Sequence, residues 1–186
     1  MDSKKIEEEK RINEFAAKTI ESFQFLEEKF GYKRKELEKE YFDYPRERRV
    51  FIRYFGKKVV VEIIWYIGDA NIAVGLYELR KRKIPEKVSF YGHYGHSRAI
   101  NLDSFVRMIT DGKVTSPIPE YGGNLSFAEK CRRTEKAIEL INKNIGGIIK
   151  TFAERLKRYG GDILKGDTSI FPKVQEYHRK FYGIEI

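Results

Sequence analysis

Residues 58–67 constrain the fold more than any other stretch of the chain. Val59, Val61, Ile63, Trp65 and Ile67 fall on one side of an extended strand, with Val60, Glu62, Ile64 and Tyr66 on the other, because successive strand side chains alternate between faces. A strand that is apolar on both faces belongs in the middle of a sheet covered on both sides. Its neighbours supply that sheet. Residues 50–55 alternate, with Val50, Ile52 and Tyr54 on one side, and Gly56-Lys57 forms a tight turn into the central strand. Gly68, Asp69, Ala70 and Asn71 make a second turn, residues 72–79 a third strand, and residues 88–91 are expected to be a fourth. Residues 33–42 suit a charged edge strand, broken by Tyr44-Pro45.

Helices flank this meander. Ile12, Ala16, Thr19, Phe23, Leu26 and Phe30 recur in alternating steps of four and three, which predicts a helix over residues 4–30 that Gly31 stops. A short helix is expected over 102–110, opened by Asn101 or Asp103 and closed by Asp111-Gly112. A proline- and glycine-rich surface loop follows, through Pro117, Pro119, Gly122 and Gly123. Ser126 and Glu129 fit a capping box. From there Phe127, Cys131, Thr134, Ile138, Ile141, Ile145, Ile148 and Phe152 hold one phase through Gly146-Gly147, predicting one long helix, kinked or briefly broken at the glycines, with Cys131 on its buried side. Gly160-Gly161 ends it, and a last helix starts near Pro172 and stops before Gly183. The expected fold class is α+β: an N-terminal helix, an antiparallel meander of three to four strands, and C-terminal helices packed on the sheet. It reads as one domain over 1–186, with helix, sheet and loops in 1–125 and helices in 126–186.

Composition narrows the chemistry. The single cysteine, Cys131, excludes an internal disulfide and a cysteine-rich zinc site. Residues 1–9 lack the apolar core of a secretory signal, and no apolar run approaches the length of a membrane span, so the cytoplasm is the expected compartment and no membrane partner is expected. The net charge of +9 favours polyanions and is uneven: residues 2–29 carry eight acids against six bases, whereas residues 80–98 carry six bases against Glu86 alone.

The nucleotide-binding loops and the Gly-x-Ser-x-Gly elbow are missing, and no cofactor is expected. The local oddity is the tandem Tyr-Gly-His of residues 91–98. His93 and His96 offer only two ligands, too few for a zinc site, so no metal is expected. With Arg98 they are the candidate catalytic groups, able in principle to move protons and stabilise phosphate charge in RNA cleavage. The commoner use of such a stretch is a glycine-rich turn whose rings pack or bind. Arg80, Arg82, Lys83, Lys87 and Arg98 with Tyr91 and Tyr94 form the candidate binding set, bases for phosphates beside rings that stack. A second basic set, Arg132, Arg133, Lys136, Lys143 and Lys150, is diluted by Glu135 and Glu139. His178, beside Arg179 and Lys180, is expected at the surface.

The aromatic helix end Phe23-Gln24-Phe25-Leu26-Glu27-Glu28-Lys29-Phe30-Gly31-Tyr32, with hairpins following as far as Leu79, resembles a group of small bacterial α+β proteins. Some of these are encoded beside polymorphic toxins as immunity proteins. The resemblance stops near Leu79, lends no catalytic residues, and implies a protein partner. The chain departs from nuclease inhibitors of that type, many of which are acidic, in being basic. Two functions are therefore expected in order: a protein-binding module of immunity or antitoxin type, then a nucleic-acid-binding protein, with ribonuclease activity at the His93–Arg98 loop as its extreme form. The abundance of Tyr (12) and Phe (13) favours the first, because aromatic side chains anchor interfaces.

Overall fold

The structure is a computed structural model and describes residues 3–41, 48–67, 71–79, 98–119 and 125–182. The chain opens with α1 (Ser3–Phe23) and, after a one-residue break at Gln24, α2 (Phe25–Phe30). Gly31 closes α2 in the left-handed conformation at φ 65°, as a glycine stop should. Then come β1 (Lys33–Arg34), β2 (Glu38–Tyr41), β3 (Arg48–Phe55), β4 (Val59–Tyr66), β5 (Asn71–Glu78) and β6 (Ala99–Asn101). All described pairings are antiparallel, in the order β1-β3-β4-β5-β6, with β2 also on β3. Among the described residues β6 is the strand that follows β5 in the sheet; residues 88–91, where a fourth strand is expected, lie outside the described residues.

Helices α3 (Leu102–Ile109), α4 (Phe127–Tyr159), α5 (Gly161–Lys165) and α6 (Phe171–Tyr182) complete the α+β architecture. Asn101 caps α3, its Oδ1 accepting from Asp103 N at 2.8 Å, and Ser126 caps α4 by accepting from Glu129 N. Val50, Ile52, Tyr54, Val59, Val61, Ile63 and Trp65 share one core with Ile12, Phe15 and Phe23 of α1 and with Ile145, Ile148, Ile149 and Phe152 of α4. The opposite face of β4 is buried too, as its sequence demands, in a smaller cluster of Phe51, Ile64, Tyr66 and Ala73. At the β3–β4 hairpin Gly56 N donates to Val59 O at 2.9 Å. A Cβ on Gly56 would stand 2.5 Å from the Tyr32 ring, so this turn needs glycine for its close contact.

Helix α4 departs from expectation in two ways. Its kink falls at Asn144 (φ −150°, ψ 47°), not at the glycine pair. Asn144 Oδ1 accepts from Gly147 N at 3.1 Å and so caps a fresh helical start. The second departure is burial. The stripe is covered from Ile141 onward, but Cys131 is exposed, Ile138 is 41 % exposed and Phe127 is 83 % exposed. Length explains this. A 33-residue helix reaches about 50 Å, whereas an eight-residue strand covers about 26 Å. The first turns of α4, before Ala137, overhang the core, while beyond them Ile138 and Leu140 sit on its outer side.

The two glycines carry opposite expectations. Alanine at Gly147 would place Cβ 2.4 Å from Asn144 Nδ2 and displace the cap, whereas at Gly146 it meets only the stem of Lys18 at 3.2 Å. Gly146→Ala is expected to stabilise by about 1 kcal/mol, the helical advantage of alanine. Gly147→Ala loses that gain and about 1 kcal/mol more with the cap. Paired urea melts check the sign; Gly147→Ala more stable than the parent would refute the cap.

Candidate functional site

Among the candidate site residues only Arg98 is described; Arg80, Arg82, Lys83, Lys87, Tyr91, His93, Tyr94 and His96 lie outside the described residues. Arg98 precedes β6, and its Nε lies 3.3 Å from Glu78 Oε2 at the end of β5. That side chain is only 17 % exposed and ties two strand ends together. His178 is not a free surface residue: its Nδ1 lies 2.6 Å from the Oγ of buried Ser104 and so docks α6 on α3. Burial lowers its pKa to about 4. A serine–histidine contact invites comparison with nucleophilic catalysis, but Ser104 sits inside α3, shielded from any substrate. Nearby, Arg155 holds Asp103 at 2.9 Å and donates to Thr115 O at 2.7 Å, joining α3, α4 and the following loop. Burial raises the Asp103 pKa, against the pull of Ser116 and Arg155.

A buried polar group occupies the second face of the sheet. Glu62 and Arg53 are cross-strand partners, with Arg53 Nε 2.6 Å from Glu62 Oε2. Tyr77 donates its hydroxyl to Glu62 Oε1 at 2.8 Å. Burial, then the carboxylate of Glu62, raise the Tyr77 pKa well above the usual phenol value. Opposite Glu62 on β5 stands Gly75, which has no side chain to compete for the space. Arg49 binds Glu40 two rows along on the same face. The Glu62 carboxylate is thus satisfied from both sides, and this cluster reads as structural.

The open feature lies beside the first half of α4. Arg11 lines the same cleft as Ile141, Lys18 faces Gly146, and Lys157 Nζ lies 4.7 Å over the Phe25 ring. The contacts climb both helices together, so α1–α2 and α4 run parallel. Between their first halves opens a cleft of about 320 Å³ lined by Trp65, Ile67, Ile138, Ile141 and Asn142, with Glu7, Glu8 and Arg11 on the α1 side. The Arg11 guanidinium lies 5.8 Å from the Trp65 ring centroid. Ile6 stands exposed one residue before Glu7, and Leu140 and Phe127 are exposed along α4. Sequence periodicity alone missed this surface, because it treats a covered and an uncovered stripe alike.

The charged side chains on α4 are of mixed sign. Arg133 lies 4.0 Å from Glu129 and Lys150 4.0 Å from Glu154. Among the described residues, no group of three or more His, Cys, Asp or Glu could hold a metal ion, and no helix is long and apolar enough to cross a membrane. No family model matches the chain, and no curated protein or solved structure matches it either.

Proposed function

We propose that the chain is a protein-binding module that engages its partner through the overhanging first turns of α4 and the cleft beside Ile138. The observation that carries this reading is the pair of exposed apolar side chains Phe127 and Ile138, eleven residues apart on one face of α4 before its kink at Asn144. A helix that presents apolar side chains on one face, as Phe127 and Ile138 are presented, offers the kind of surface that another helix or a groove recognises. Helix scaffolds also hold their shape on binding, so the cost of ordering the surface is already met by the fold. An immunity- or antitoxin-type role, blocking the partner by occupying it, is the form of this function that the resemblance of about the first 80 residues to such proteins supports.

A phosphate-binding role draws less support from α4, because its bases sit among acids and two of them lie beside glutamates on the same helix. The test is recovery of a stoichiometric protein partner from the cells that make this chain, with Ile138→Asp as the comparison. A charge on this apolar face should weaken capture by tenfold or more, the scale of a central anchor. Circular dichroism should be unchanged, since Ile138 is already 41 % exposed. Equal capture by both proteins would remove this surface from the function.

A further inference from the structure

The helix tip and the cleft complement one another, and we propose that a second copy of this chain docks there: two copies pair antiparallel through residues 127–141, Phe127 of each filling the cleft of the other. This inference rests on reading the overhang as a docking surface and goes beyond it by naming the occupant. Phe127 and Ile138 are eleven residues apart, which returns to within about 20° of the same helix face and spans about 16 Å. Knob and hole therefore lie on one patch of one chain. A two-fold interface needs that arrangement, because residue i must meet j while j meets i.

Between them on the same stripe stand Cys131 and Thr134, both small enough for two helices to cross at about 8–10 Å. Antiparallel pairing sets Phe127 beside Ile138 of the second copy, and Cys131 beside Thr134. Parallel pairing in register would set Phe127 on Phe127 and leave both clefts open. It would also bring both sheets to the same end of the pair, whereas the antiparallel form sends them to opposite ends.

Charge agrees with this choice. Glu7 and Glu8 line the α1 side of the cleft, Glu8 already paired with Arg48, so Glu7 is the acid left to face an incoming helix end. The end of α4 that reaches this acid is its N-terminus, capped by Ser126 and carrying Lys130 in its first turn. A helix N-terminus presents the positive end of the backbone dipole, which favours acids opposite it. Glu129, the acid of that turn, enters a cleft that also holds Arg11. The paired segment is short, so the interface falls at the small end of specific contacts, and a dissociation constant on the order of 10–100 μM is expected.

Sedimentation of the full chain from about 5 μM to about 500 μM should show monomer giving way to dimer. Trp65, the single tryptophan, forms part of the cleft lining, so its emission should change with the same midpoint as the ring of Phe127 closes over it. Phe127→Ser should raise the dissociation constant tenfold or more and abolish the emission change, while far-ultraviolet circular dichroism stays as in the parent. A wild-type chain that is monomeric throughout overturns the inference. So does a dimer that survives Phe127→Ser. A monomer that still captures a different protein in an Ile138-dependent way sinks self-pairing and leaves the docking function standing.

Discussion

Arg53→Ala is expected to destabilise the protein by about 3–5 kcal/mol, the cost of removing one partner from a buried ion pair. The arrangement that makes the loss large is local. Glu62 is 5 % exposed on the central strand, with Phe51 and Ile64 close by on the same sheet face. Arg53 gives it a charge-assisted hydrogen bond at 2.6 Å and stacks its guanidinium 4.2 Å over the Phe51 ring. Truncation leaves the carboxylate with the Tyr77 hydroxyl as a donor and exposes the Phe51 face. Hydrophobic burial elsewhere cannot compensate, because the charge itself stays in place. Replacing both members, as Arg53→Met with Glu62→Leu, removes the desolvated charge together with its partner and should return stability to within about 1–2 kcal/mol of the parent. Urea melts of the two variants separate the cost of an orphaned charge from the net worth of the pair. If Arg53→Ala alone stays within about 1 kcal/mol of the parent, Glu62 is solvated and the second sheet face is open enough to be reconsidered as a binding surface.

That pair shows where sequence reasoning succeeds and where it stops. Alternation placed Glu62 on the second face of β4 and the hairpin at Gly56-Lys57, and both are observed. The Phe55–Val60 register of that hairpin, carried two residues outward on each strand, brings Arg53 to Glu62. The signal was therefore present, but it depends on a register that a one-residue slip would turn inside out. The first helix, its glycine stop, the Asn101 and Ser126 caps and the last helix were legible because each is decided by neighbours within a few residues. Burial along α4 was not. Periodicity reports which side of a helix is apolar, and only the length of the sheet beneath decides how much of that side is covered. Asn144 likewise acts through a cap three residues long that Gly147 leaves room for, so the conspicuous glycine pair marked the neighbourhood of the kink and not its pivot. His178 had its own clue: it follows Phe171 and Val174, both buried, by seven and four residues and precedes Phe181 by three. Two flanking bases outweighed that spacing. All of the candidate binding and catalytic loop but Arg98 lies outside the described residues.

Between pH 6.5 and about 4 the protein should lose up to about 3 kcal/mol of stability through His178 alone. Burial against α3 holds the ring neutral and depresses its folded pKa from 6.5 to about 4. The unfolded chain takes up a proton at pH 6.5 and the folded chain does not, so the unfolded form gains as pH falls through this window. The stabilising contribution is complete above pH 6.5, declines below it and is exhausted once the folded ring also protonates. Neighbouring charges do not reverse the sign: Arg107, one turn beyond Ser104, lies 4.3 Å over the Phe181 ring, and cations near an imidazole further disfavour its charged form. Asp103 works the other way, because burial raises its pKa, so its carboxyl gives more stability as pH falls. The comparison must therefore be made against a variant that keeps Asp103. His178→Phe fills the same site without a titrating group, and its stability should be flat across the window apart from a slope shared with the parent. Urea unfolding at pH 7, 6, 5 and 4 measures the difference directly. A parent and variant with parallel profiles would mean that His178 is protonated in the fold and that α6 is not seated on Ser104.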